Sequence, residues 1–141
     1  LLAAPPSAPP RKGPPGAPRK SAVPEAWLTQ LRSSDEAQLK SAFDEVRAAG
    51  ESGAAAAPAV TDALLQGLPP ALAEAGLATL TEVSAAAGVP AFVLYMHHRQ
   101  SSVRRAAARG LAKAGGPEAV AALQRLLRDG DAGVRGLAAQ L

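Results

Sequence analysis

From Pro24 onward, apolar side chains recur at the i, i+3, i+4 spacing of helix faces, and Gly or Pro interrupts them every 10–17 residues or so. Pro24-Glu25-Ala26-Trp27-Leu28 opens a short first helix, with Pro and an acid in its first turn and Trp27 and Leu28 expected on the buried face. Ser34-Asp35 offers an N-cap for a helix carrying Leu39, Phe43 and Val46, which Gly50 and Gly53 end. A third helix is expected from about Ala55 to Gln66, with Val60, Leu64 and Leu65 inward, and Gly67-Leu68-Pro69-Pro70 breaks it. A fourth runs from about Pro70 to Ala87, with Leu72, Leu77, Leu80 and Val83 on one side, up to Gly88. Pro90 to Gln100 is the most apolar stretch of the chain. Ser102–Ala114, then Pro117–Arg128, then a last helix after the Asp129-Gly130-Asp131 turn complete the series. No segment has the two-residue alternation of a half-buried strand, and β-branched residues are few.

Residues 1–24, LLAAPPSAPPRKGPPGAPRKSAVP, break this pattern. Proline removes an amide donor and holds its predecessor extended, and few large side chains are present to offset the entropy of ordering. The segment is expected to be a disordered, basic, proline-rich tail or linker, and residues 25–141 the folded part. Its deletion is expected to leave the melting of the folded part intact. Lys12, Pro15, Pro18 and Lys20 fit the basic-plus-PxxP form that aromatic grooves read, with a plain spacer as the alternative.

The helices repeat. Leu72, Val103 and Val134 fall at intervals of 31 residues, as do Leu80 and Leu111, Tyr95 and Leu126, and Met96 and Leu127. Arg104 and Arg135 follow the aligned valines, and Phe43 and Val46 precede Leu77 and Leu80 by 34. Over SSVRRAAARGLAKAGGPEAVAALQRLLRDGDAGVRGLAAQL the chain resembles the bacterial HEAT-like repeat, including the form named after phycobilisome lyases. Val103, Arg104, Ala107, Leu111, Gly115, Pro117, Ala119, Val120, Leu123, Leu126, Leu127 and Asp129 fit that pattern, and Asp131, Val134 and Arg135 reopen it. Gln100 stands where the family places a turn aspartate, and Gly110 where it places an alanine. The resemblance implies an all-α solenoid of about three helix pairs plus a truncated fourth, with a concave surface lined by the second helix of each pair. Physically, a single helix pair buries only one face, and stacked pairs bury a continuous core. Ala106, Ala107, Ala108 and Ala112 are expected to let helices approach, and Leu80, Leu111, Leu123 and Leu127 to be buried between them. Val134, Leu137, Ala138 and Leu141 form an apolar stripe whose natural cover is a further helix, so the chain is expected to be part of a larger chain or complex.

Composition and charge narrow the function. Among 141 residues there is no cysteine, which removes disulfides, thiolate zinc sites and cysteine nucleophiles. No apolar run approaches the roughly 20 residues of a bilayer span. A cytoplasmic location is expected, with a signal or anchor lost from an upstream segment as the alternative. The net charge of +3 hides an uneven distribution. Residues 25–98 carry nine acidic residues against three basic ones, and residues 99–141 carry eight basic residues against Glu118, Asp129 and Asp131.

His97 and His98 are the only histidines. Adjacent helical positions diverge by about 100°, so the two do not readily share one metal, and the pair suits a helix C-terminus. Arg104 and Arg135 suit either an anion-binding ladder or, preferably, structural arginines tied to turn carboxylates such as Asp131 or to carbonyls of the neighbouring repeat. No phosphate loop, nucleophile–base pair or ligand cluster is legible, so no enzyme activity, cofactor or metal is expected. The preferred function is a protein–protein interaction scaffold, with Arg99, Arg105, Arg109, Arg125 and Arg128 as candidate partner-binding residues. One alternative is nucleic-acid binding through the basic half, residues 99–135, although stacking aromatics are absent there. The second is an enzyme of the lyase or hydroxylase type of the same repeat superfamily, for which the ligands are missing.

Overall fold

The computed structural model describes residues 23–140; the tail motif of Lys12, Pro15, Pro18 and Lys20, and Leu141, lie outside the described residues. Eight α-helices follow one another among the described residues: α1 Glu25–Leu31, α2 Glu36–Ala49, α3 Ala57–Leu65, α4 Pro70–Ser84, α5 Val89–Tyr95, α6 Ser101–Ala114, α7 Gly116–Leu126 and α8 Ala132–Ala138. Short 3₁₀ segments, Gly50–Ala56 and Ala86–Gly88, precede α3 and α5. No strand occurs among the described residues.

The helices form two layers. α2, α4, α6 and α8 stack in order in a first layer, and α1, α3, α5 and α7 in a second. α6 meets α7 directly, whereas α2 and α4 reach α3 and α5 mainly through the 3₁₀ segments. The longer seven-residue segment at Gly50–Ala56 accounts for the drift of the repeat from 31 to 34 residues.

The core lies between the layers, and the repeat register runs through it. Val60, Ala91 and Ala122 are equivalent positions of α3, α5 and α7, and all are buried; so are Leu64, Tyr95 and Leu126. In the first layer Leu72, Val103 and Val134 are buried, as are Val46, Leu80 and Leu111. Gly110 fits because a Cβ there would collide with Cε1 and Cζ of the buried Phe92 ring. This is the physical reason for the glycine that departs from the repeat pattern: α5 carries a bulky Phe92 and α6 yields the space.

Several expectations are corrected. In α1 the buried residue is Leu31, with Trp27 and Leu28 half-buried; Trp27 keeps its indole N–H at the surface, where it donates to Glu45 of α2. Leu65 and Leu127 are 44% and 43% exposed, although Met96 at the equivalent end of α5 is buried. Ala112 is exposed on α6. α4 ends at Ser84 and α5 at Tyr95, both short of the expected lengths. The stripe on α8 is not bare: Val134 and Ala138 are fully buried against α6 and α7, and Leu137 is half-buried.

Candidate functional site

Most of the turns that lead from second-layer to first-layer helices share one device. In three of the four, the residue two before the N-cap accepts the N-cap amide: Ser33 Oγ from Asp35 N–H at 2.9 Å, His98 Nδ1 from Gln100 N–H at 3.0 Å, Asp129 Oδ1 from Asp131 N–H at 2.8 Å; the fourth, before α4, has Pro69 as N-cap and no amide to give. Asp35 and Asp131 then cap α2 and α8 by accepting from Ala37 and Val134 N–H. His98 is thus a turn residue, and its ring also stacks on Tyr95 at 6.1 Å. Tyr95 itself is buried; its hydroxyl donates to Leu64 O at 2.7 Å and accepts from Leu68 N–H at 3.1 Å. Burial pushes its pKa up.

Arginines tie one turn to the next. Arg104 donates Nε and Nη2 to the two carboxylate oxygens of Asp129, each at 2.9 Å, and Nη1 to His98 O and Arg99 O, each at 2.9 Å. The Asp129 side chain is only 9% exposed. Arg105 forms a second two-pronged pair with Asp131, at 3.1 and 2.7 Å. The hydrogen bonds from Arg104 and Arg105 hold the carboxyls of Asp129 and Asp131 below the usual carboxylate range, Asp131 to about 2. The structural role expected for Arg104 is present, but its carboxylate is Asp129; Asp131 serves Arg105.

Further polar contacts tie α2, α4 and α6 together. Arg47 of α2 binds Glu82 of α4, Lys113 of α6 lies close enough to Glu82 to lower its pKa further, and Ser102 donates to Glu74 at 3.2 Å. The second layer differs. The exposed large hydrophobics, Leu65, Leu94 and Leu127, sit at the ends of α3, α5 and α7, all in that layer. Arg125 and Arg128 are exposed beside Leu127, and no described carboxylate forms an ion pair with them.

The five candidate arginines therefore separate. Arg105 is engaged by Asp131, Arg109 is exposed on α6, Arg99 is exposed in the turn before α6, and Arg125 and Arg128 cluster at the end of α7. Leu65 and Leu127 escape the sequence pattern because they share the register of the buried Met96, and Leu94 because it lies inside the most apolar stretch of the chain. Among the described residues no group of three or more His, Cys, Asp or Glu side chains is placed to hold a metal ion, and no helix is long and apolar enough to cross a membrane.

Two layers of helices stacked in a repeating register, with turn arginines bridging successive units, define an α-solenoid. A family model for HEAT repeats matches residues 57–141, and the chain belongs to that family. No curated protein matches the chain. HEAT repeats generally mediate protein–protein interaction.

Proposed function

We propose that the chain is a non-catalytic scaffold that docks another protein on the outer side of its second layer. The observation that carries this is the placement of Leu65, Leu94 and Leu127, the exposed large hydrophobics, all on that layer. Exposed large apolar side chains confined to one layer of a folded domain favour that layer as a protein contact. Arg125 and Arg128 beside them suit an acidic rim on the partner. The first layer is a poorer candidate, because it carries no exposed large hydrophobic among the described residues and its Arg47 is engaged by Glu82. Arg104 and Arg105 are likewise engaged by carboxylates, which takes two of the basic residues away from a nucleic-acid surface. The test is affinity capture from the native source with the full chain, Leu94→Asp and Arg109→Glu in parallel. The partner is expected on the full chain and on Arg109→Glu, and to be lost from Leu94→Asp. Loss with Arg109→Glu and retention with Leu94→Asp would place the docking face in the first layer instead.

A further inference from the structure

The turns before the first-layer helices share a register set by their N-caps, Asp35, Pro69, Gln100 and Asp131. Arg104 stands four residues past Gln100. It closes the junction between its own turn and the next by donating to His98 O and Arg99 O, just before its N-cap, and to Asp129, two before the next N-cap. At the first junction both side chains of this device are missing. Leu39, four past Asp35, has no donor for the carbonyls of Ser33 and Ser34, and Gly67 stands in the register of Asp129. A groove of about 380 Å³ opens there, lined by Leu39, Ser33, Ser34 and Gly67 among others. The groove is the space that an arginine and its carboxylate fill two junctions on.

The lining selects the sign of what enters. The floor is apolar, with Leu39 and Leu72 buried. No described donor reaches the carbonyls of Ser33 and Ser34. Glu36 at the rim is exposed and lies outside the described ion pairs. An anion would meet all of these oxygens, with Arg32 alone to offset them. A cation meets acceptors. Arg32, three before its N-cap, has the register of His97, which lies outside the hydrogen bonds of Arg104. The surrounding charge agrees, since residues 25–98 carry nine acidic residues against three basic ones. The junction at Ala73 is a contrast: the groove beside it is lined by His97, His98 and Arg99 and by no carboxylate.

We propose that the groove at Leu39 takes an arginine side chain from a basic segment of a partner protein. The guanidinium donates to Ser33 O and Ser34 O as Arg104 does to His98 O and Arg99 O, turns its other edge to Glu36, and lays its methylenes on Leu39 and Leu72. Exposed Ser34, Glu36 and Gln66 leave the groove open to the surface, so a side chain carried on another protein reaches it. The site lies between two turns and is independent of the docking face that carries Leu94.

The experiment is an amide NMR titration of the full chain with N-acetyl-arginine N-methylamide, alongside its lysine and citrulline analogues. Saturable shifts are expected at the amides of Ser33, Ser34, Glu36 and Gly67 with the arginine compound. Binding of the lysine compound is expected to be several-fold weaker, and the citrulline compound, which keeps the shape without the charge, is expected not to bind. Glu36→Gln removes the carboxylate and Gln66→Arg puts a cation of the chain's own at the groove. Both positions are exposed, so both variants are expected to lose the titration at an unchanged melting temperature. Leu94→Asp is expected to keep it. Selection of a random peptide library on the full chain, with Gln66→Arg as counter-selection, is expected to return basic sequences that share one arginine. Absence of saturable shifts at those amides overturns the proposal, as do equal binding of the citrulline compound and selected sequences without arginine. A titration that appears only after Arg11→Gln and Arg19→Gln also overturns it, by making this chain's own N-terminal segment the occupant.

Discussion

Arg104 joins two turns with one guanidinium, holding the carbonyls of His98 and Arg99 on one side and the Asp129 carboxylate on the other. Arg104→Ala leaves that carboxylate, 9% exposed, without its partner, and is expected to lower stability by about 1–3 kcal/mol in urea denaturation. The pair also sets an acid limit. Both Asp129 and Asp131 have folded pKa values below the ordinary carboxylate value near 4. Their contribution is complete above about pH 4 and is lost as pH falls through the folded values, toward about 2 for Asp131. The melting temperature is therefore expected to drop between pH 4 and 2, and to drop less in the Asp129→Asn, Asp131→Asn double variant once its lower starting stability is subtracted. An equal acid slope in both proteins would assign the loss to other carboxylates. Gly110 works by absence: Gly110→Ala drives a methyl into the Phe92 ring and is expected to cost about 1–3 kcal/mol. Combining it with Phe92→Leu should recover part of that loss in the same melting assay.

At the scale of elements, α6 is the best-anchored helix, packed on α4, α5, α7 and α8. Leu111→Ala removes a fully buried side chain from it and is expected to cost about 2–5 kcal/mol. Leu127→Ala, at an exposed position, is expected to stay within about 0.5 kcal/mol of the wild type. Thermal melting of both checks the assigned register, and equal losses would refute it. The contrast shows how much the chain reveals by itself. Helix number, most turns and the inward columns follow from periodicity, because equivalent positions of successive units mostly meet equivalent neighbours. Periodicity does not show which equivalent side chain is covered: Leu65, Met96 and Leu127 share one register, yet only Met96 is buried. Asp129 is likewise legible as a turn residue but not as the Arg104 partner, since 25 residues separate the two and only the stacking of turns brings them together.

For the whole molecule, Arg47, Arg104 and Arg105 of the first layer are held by carboxylates, and the second layer leaves Leu65, Leu94, Leu127, Arg125 and Arg128 exposed. A scaffold of this kind is expected to show no saturable affinity for single-stranded or duplex oligonucleotides near physiological salt. Fluorescence anisotropy across a salt titration checks this. Tight binding with a steep dependence on salt would instead make residues 99–135 a nucleic-acid surface, with Arg99, Arg109, Arg125 and Arg128 as its contacts.

The hydroxyl of Tyr95 spans from α5 to Leu64 O at the end of α3 and to the amide of Leu68 beyond it. It is the chain's one tyrosine, and Trp27, the one tryptophan, is fastened to Glu45 of the neighbouring helix at 2.8 Å. Each chromophore therefore watches a different seam of the stack. Nearest-neighbour repeats can open one seam at a time. In denaturant the near-ultraviolet tyrosine signal and the tryptophan emission are expected to change at separate midpoints if the α1–α2 end frays first, and together if the array unfolds as one unit. At alkaline pH the tyrosine acts as its own trigger. Its folded pKa lies above the ordinary value near 10, so its contribution is complete below that pH and is lost as pH rises through the folded value. Phenolate absorbance is then expected to appear in step with loss of the middle seam.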